Sequence, residues 1–162
     1  MSPKEILRHS LDLSDFFVKS YLNDLDGEDL LLQPTPGFNP IALQLGHLIS
    51  VERRLMERTK PGASPPLPEG FDERHSLKEG AKDDRSRYLT KDQYLALWDA
   101  QRAATKSILD GLTDEELEAP GPEGFKRAPN VAAVVNLLGL HAASHAGQWV
   151  AVRRQLGKPV AF

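Results

Sequence analysis

Two histidines four residues apart, His141 and His145 in His-Ala-Ala-Ser-His, are the residues of this chain best placed to do chemistry. On a helix, positions i and i+4 share one face, with Cβ atoms about 5–6 Å apart. Two ring nitrogens so placed can converge on a single metal ion at roughly 2.0–2.1 Å each. His47, in Gly46-His47-Leu48 of an earlier segment that is equally helical in pattern, would complete a three-histidine set. Three protein ligands with open positions left over resemble catalytic metal centres more than closed structural ones.

Against this stands the plainer reading, in which each histidine is a satisfied core or surface residue. Two features favour metal. His141 and His145 fall inside the apolar arc of their helix, between Val134 and Leu138. Two buried imidazoles without partners would be costly, and two buried imidazolium ions more so, whereas a metal takes the neutral ring. His47 flanks the Val51 side of its own apolar arc and can reach the seam between the helices. Imidazole suits zinc, nickel, copper or iron; zinc is the default because a three-histidine zinc site with bound water is a known catalytic arrangement. Gln148, one turn beyond His145, is the expected hydrogen-bond partner of a ligand ring, or else an ordinary interfacial glutamine.

Other candidates are weaker. Glu52 interrupts an apolar stripe, as a general base near the metal or, preferably, as the partner of an arginine such as Arg153. His9 lies on an apolar face between Leu13 and Phe16, as a proton shuttle or, preferably, a buried histidine with one hydrogen bond. His75, in a long loop, is expected to be exposed. The pairs Arg53-Arg54 and Arg153-Arg154 read as solvated charge, although either could steer an anionic substrate. There is no Gly-rich phosphate loop, no Gly-x-Ser-x-Gly elbow and no His-Glu-x-x-His.

The elements that must position these residues are four helices, with no convincing strand pair. The first runs from about Pro3 to Leu25, opened by Ser2-Pro3-Lys4-Glu5 as N-cap, N1 proline and capping-box glutamate; its apolar stripe is Ile6, Leu13, Phe16, Phe17 and Tyr21. The second follows Asn39-Pro40, again read as N-cap and N1 proline, with Ile41, Leu45, Leu48, Val51 and Leu55 on one face. Thr90-Lys91-Asp92-Gln93 opens the third. Asn130 caps the fourth, which carries Val134, Leu138, Ala142, Trp149, Val152 and Leu156 and stops at Gly157-Lys158-Pro159. Residues 61–89 make a long crossover rich in Pro, Gly and charge. Leu25-Asp-Gly-Glu28-Asp-Leu30 and Leu112-Thr-Asp-Glu115-Glu-Leu117 form a weak repeat. Each leads to a Pro-x-Pro, a phenylalanine, an Asn, and then a helix bearing Leu-Gly and histidine. It reads either as two helix–loop–helix copies or as chance similarity of turn residues.

The chain is 162 residues long, the size of one domain, with 40% hydrophobic and 27% charged residues. A net charge of −3 without a basic stripe argues against nucleic acid as the main partner. The absence of cysteine removes disulfides, thiolate nucleophiles and Cys-ligated metal, and suits a cytoplasmic protein. Any thiol in the chemistry must arrive as a cosubstrate. Lys4, Glu5 and Arg8 make the N-terminus neither signal peptide nor membrane span.

Taken together, Pro34-Thr-Pro36-Gly37-Phe38-Asn39-Pro40 leading into Leu45-Gly46-His47-Leu48, and His141-Ala-Ala-Ser-His145-Ala-Gly147-Gln148 leading into Arg153-Arg154-Gln155-Leu156-Gly157-Lys158-Pro159, resemble the DinB/YfiT-like family (DNA-damage-inducible) of metal-binding four-helix bundles. The resemblance implies one all-α domain over 1–162, an up-down-down-up bundle with the long connection between helices 2 and 3, and a divalent metal, zinc or nickel, on His47, His141 and His145. It also implies helix-face homodimers. Within the family it points to thiol-dependent transferases, in which the metal activates a low-molecular-weight thiol for delivery to a small electrophile. Metal-dependent hydrolysis is the alternative, and a non-catalytic metal-binding or interaction module is the rival from another class.

Overall fold

The computed structural model of the protein describes residues 1–80 and 84–160, so residues 81–83 of the crossover lie outside the described residues. Those described are all-helical apart from one isolated bridge between Pro120 and Asn130. Four long helices carry the fold: α1 (Pro3–Leu22), α2 (Ile41–Thr59), α4 (Lys91–Gly111) and α6 (Val131–Gln148). Short helices α3 (Phe71–Arg74), α5 (Asp114–Glu118) and α7 (Val150–Gln155) lie between and after them.

The helix starts follow their capping chemistry. The Ser2 hydroxyl accepts from the Glu5 amide while the Glu5 carboxylate takes the Ser2 amide at 2.6 Å. Thr90 with Gln93 and Thr113 with Glu116 repeat the box, and Asn130 accepts from the Ala133 amide at 2.9 Å. The Asn39 cap does not form. Pro40 is extended (φ −59°, ψ 154°) and occupies the N-cap position itself, and the Asn39 carbonyl is taken by the Gln44 side chain at 2.6 Å. Helix α1 stops three residues short of Leu25 because Leu25 turns back onto the Leu22 carbonyl. The neighbouring Asp24 is held by Arg153 at 2.5 and 3.2 Å.

Helix α1 packs on α6 and α4, and α2 packs on α4 and α6, so each long helix has two neighbours. The α1 stripe facing the core is Leu7, Leu11, Val18 and Leu22, with Ser14 among them. Ile6, Leu13 and Phe16 form a second stripe on the outer side. His9 belongs to that outer side and is exposed, which corrects the expectation of a buried histidine. Gly139 makes the α1–α6 approach possible: a Cβ there would sit 2.5 Å from the Ser10 hydroxyl and 3.2 Å from the Ser10 carbonyl oxygen.

The repeat has a structural counterpart. Leu25 and Leu30 in one copy and Leu112 and Leu117 in the other are buried; Leu30 lies on a 3₁₀ turn (Asp29–Leu31) and Leu117 on α5, with Leu25 and Leu112 just before them. Phe38 and Phe125 are half-buried in both. Each copy then enters a long helix at Pro40 or Asn130.

The crossover is a plug more than a loop. Helix α3 turns Phe71 and His75 inward, and His75 is 1% exposed instead of solvated. Its burial is tolerated because both ring nitrogens are matched. Nδ1–H donates to the Phe71 carbonyl at 2.7 Å, and Nε2 accepts from the Tyr94 hydroxyl at 2.6 Å. The ring lies flat on α2 where Gly46 leaves room; a Cβ there would be 2.0 Å from the His75 Cδ2. Arg53 adds a bond from α2 to the Pro65 carbonyl at 3.0 Å.

Glu52 pairs with an arginine, but not with Arg153. Its partner is Arg102 of α4, 3.0 Å away, in a pair closed to solvent. The Arg102 guanidinium stacks 4.5 Å from the Trp98 ring centroid. Burial pushes the Glu52 carboxyl up, and Arg102 opposes that shift. Arg153 spends its donors on Asp24 and on the Tyr21 and Pro159 carbonyls.

Candidate metal centre

The start of α2 meets the end of α6, since Gln44 touches Trp149, and Arg58 at the other end of α2 bonds the Glu123 carbonyl just before α6. The two helices therefore run antiparallel along a shared seam. His47 comes from the α2 side and His141 and His145 from the α6 side. Their ligand-capable atoms all lie within 4.8 Å of one another. The ring centroids are 5.3 Å apart for His47 and His141, 5.6 Å for His47 and His145, and 4.8 Å for His141 and His145. His145 is buried and the other two are half-buried, so the cluster is closed on its core side and open on the other.

Nε2 of His141 and Nε2 of His145 are 3.2 Å apart. Two donors at 2.0–2.1 Å from one ion sit roughly 2.9–3.4 Å apart between octahedral and tetrahedral geometry. The pair thus has the separation that two ligands of one ion require. The pKa of each of the three rings is lowered, which favours the neutral state that binds metal. Burial, reinforced by His141 and then Arg54, pushes His47 down to about 4. Burial, then His141 and His47, does the same to His145. His141 is lowered by burial and by Arg127.

The tautomer of His145 is set by a residue that sequence reasoning missed. Gln44, 1% exposed, directs its amide Nε2 to the Asn39 carbonyl, which leaves Oε1 facing the seam. That oxygen accepts from His145 Nδ1 at 2.8 Å and from the Trp149 indole N–H at 3.1 Å. With its proton on Nδ1, His145 presents the Nε2 lone pair to the cluster. The signal for Gln44 was present: a lone amide in the apolar run Ile41-Ala-Leu-Gln44-Leu45, one turn before His47.

Trp149 reaches Gln44 because the expected fourth helix breaks there. The Trp149 amide bonds Ala146 at 3.1 Å in a tightened turn, and α7 resumes at Val150. Gln148, on the outer side of that turn, is exposed and bonds none of the three histidines among the described residues, so Gln44 takes the role expected of it. Glu52 and His9 are likewise outside the cluster.

A sequence model of the family described as the DinB superfamily matches residues 18–149. A solved structure, described as the crystal structure of a conserved protein from Enterococcus faecalis, superposes with a TM-score of 0.70 at 17% identity. It covers 98% of this chain and 99% of that one, a likeness of fold. No curated protein matches the chain.

Proposed function

The chain belongs to the DinB superfamily, and on that premise we propose that it is a metal-dependent enzyme whose divalent ion, zinc or alternatively nickel, is held by His47, His141 and His145. The observation that carries this reading is the convergence of three neutral imidazoles, one with its free nitrogen fixed by Gln44. The four long helices are read as the family's up-down-down-up bundle, in a cytoplasmic homodimer.

An ion bound by three histidines supplies Lewis acidity that lowers the pKa of a thiol or a water at its open positions. The residues themselves hold and orient. Gln44 fixes His145, and the seam excludes water from the core side of the cluster. Glu52, the carboxylate weighed as a base, is committed to Arg102, and no carboxylate joins the three histidines among the described residues. That arrangement favours a thiol, the more acidic nucleophile, over water. With no cysteine in the chain, that thiol is a low-molecular-weight cosubstrate, and its acceptor a small electrophile.

The test is metal content by mass spectrometry on untagged protein, wild type against His145→Ala. One equivalent in wild type, lost in the variant, is expected. Protein that carries no metal, and whose melting temperature does not respond to added zinc, overturns the reading. The placement of the cluster on the α2–α6 seam also suits a second reading, an ion that only joins the two helices. Turnover of a thiol with an electrophile by loaded wild type separates the two, and turnover of ester or amide substrates without thiol would indicate the hydrolase instead.

A further inference from the structure

The seam between α1 and α4 lies across the bundle from the histidine seam, and it holds a groove of about 420 Å³. Ion pairs span it, among them Lys19–Asp99 at 2.7 Å and Arg8–Asp110 at 2.5 Å. Two features of this groove are unmatched.

The first is at its floor. Arg102 lines the groove and is 2% exposed. Its Nη2 lies 3.0 Å from Glu52, and its Nε and Nη1 have no acceptor among the described residues. Buried guanidinium donors are normally matched, so a polar group from outside the chain is expected beside them.

The second is on the wall. Lys19 faces two carboxylates, Asp15 at 3.1 Å and Asp99 at 2.7 Å. Arg8 and Lys106 together face two, Asp12 and Asp110. The Lys19 end is therefore one cation short. The Asp99 side chain is 56% exposed, which leaves room for a second donor. Asp99 and Arg102 stand three residues apart on one face of α4, with Cβ atoms about 5–6 Å from each other.

A donor that lacks an acceptor and an acid that lacks a cation thus lie one helical turn apart. A plain carboxylate would match Arg102 and add to the acids on the wall. A plain amine would match the wall and leave Arg102 as it is. An α-amino acid carries both groups on one carbon, and its zero net charge leaves the balance of the groove unchanged. Its carboxylate makes the stronger, charge-assisted kind of bond to a guanidinium. The Lys19–Asp99 and Arg8–Asp110 pairs are at the surface, so parting them to admit a ligand costs little.

We propose that the α1–α4 groove binds a small zwitterionic α-amino acid, with its carboxylate on the unmatched donors of Arg102 and its ammonium on Asp99 beside Asp15. The site is separate from the histidine cluster and does not depend on metal.

The test titrates L-alanine, propionate and L-alaninamide into full-length protein at pH 7 and constant ionic strength. The readout is the ¹⁵N–¹H signal of Arg102 Nε, assigned by its loss in Arg102→Lys. L-Alanine should shift that signal saturably and bind at least about tenfold more tightly than propionate, which lacks the ammonium, or alaninamide, which lacks the carboxylate. Asp99→Asn should bring alanine down to the affinity of propionate. Ala103→Leu, at an exposed position of the groove, should weaken alanine binding by about tenfold or more while the Glu52–Arg102 pair and the fold are retained. Equal binding of alanine and propionate overturns the zwitterion assignment. Alanine binding undiminished in Ala103→Leu overturns the location. An Arg102 Nε–H that contacts a bound water and ignores all three solutes means that water fills the site, and the proposal falls.

Discussion

The Nδ1–H of His145 donates to Oε1 of Gln44 at 2.8 Å, and this bond decides which nitrogen of His145 is left for a ligand role. Gln44 cannot turn over to present its NH₂ instead, because that group is held by the Asn39 carbonyl and Oε1 also receives the Trp149 indole.

Gln44→Leu should therefore weaken metal binding by about 10–100-fold, read by competition with a chromophoric chelator. It should also leave two buried N–H donors without an acceptor, a loss of about 1–3 kcal/mol each in stability. Gln44→Glu keeps the acceptor and should bind metal more tightly than Gln44→Leu. Long-range ¹⁵N correlation spectra of metal-free wild type should show His145 protonated at Nδ1. The opposite tautomer would contradict the assignment.

Gly46 and His75 are one packing unit across α2 and the crossover. Gly46→Ala should destabilise by about 1–3 kcal/mol, since its Cβ enters the space of the His75 ring. Joined with His75→Ala it should cost clearly less than the two single losses added together. Chemical denaturation of the four proteins closes the cycle, and strict additivity would mean that the ring moves aside freely.

Burial also pushes His75 down to about 4, opposed in part by the bond to the Phe71 carbonyl. The unfolded chain, with histidines near 6.5, takes up protons first as the pH falls. In metal-free protein the histidine contribution to stability should be fully present just above pH 6.5 and be lost between about 6.5 and 4. His75→Asn should fall less steeply across that window. Urea unfolding at successive pH values measures both, and a flat wild-type profile would mean that these histidines are not buried neutral.

Glu52→Gln should leave the Arg102 guanidinium buried without its counter-charge and cost about 3–5 kcal/mol. Metal content should not change, because the pair faces α4 and not the α2–α6 seam. Loss of metal from a folded Glu52→Gln protein would return Glu52 to the site.

What was legible in the sequence was local. Capping boxes at Ser2, Thr90 and Thr113 act within one turn, so they are visible to a reader with no tertiary information; only the first two were read. The His141–His145 pair follows from the helix period, and His47 from the apolar arc of α2. Residues whose state depends on another element were placed less well. His75 is buried only because Gly46 and Tyr94, 29 and 19 positions away, make a slot with matching polar atoms. His9 was misplaced because α1 carries two apolar stripes and periodicity does not say which one the core takes. Glu52 pairs with an arginine as expected, but with Arg102 and not the Arg153 offered as an example, since pairing between helices depends on which neighbours α2 has. Gln148 shares its helix face with His141, but it is the last residue of α6 and is exposed, while the Trp149 indole after it turns in.

The break at Trp149 has an optical consequence. The chain has two tryptophans. Trp98 gives its indole N–H to Asp15 at 2.7 Å and lies against Arg102. Trp149 shares one acceptor atom with His145. Any event that draws electron density from His145 strengthens its pull on that oxygen and alters the field around the second indole through an acceptor the first does not use. The protein thus contains a paired fluorophore, one ring as gauge and the other as internal standard, and the state of its histidine cluster can be followed by emission without a label.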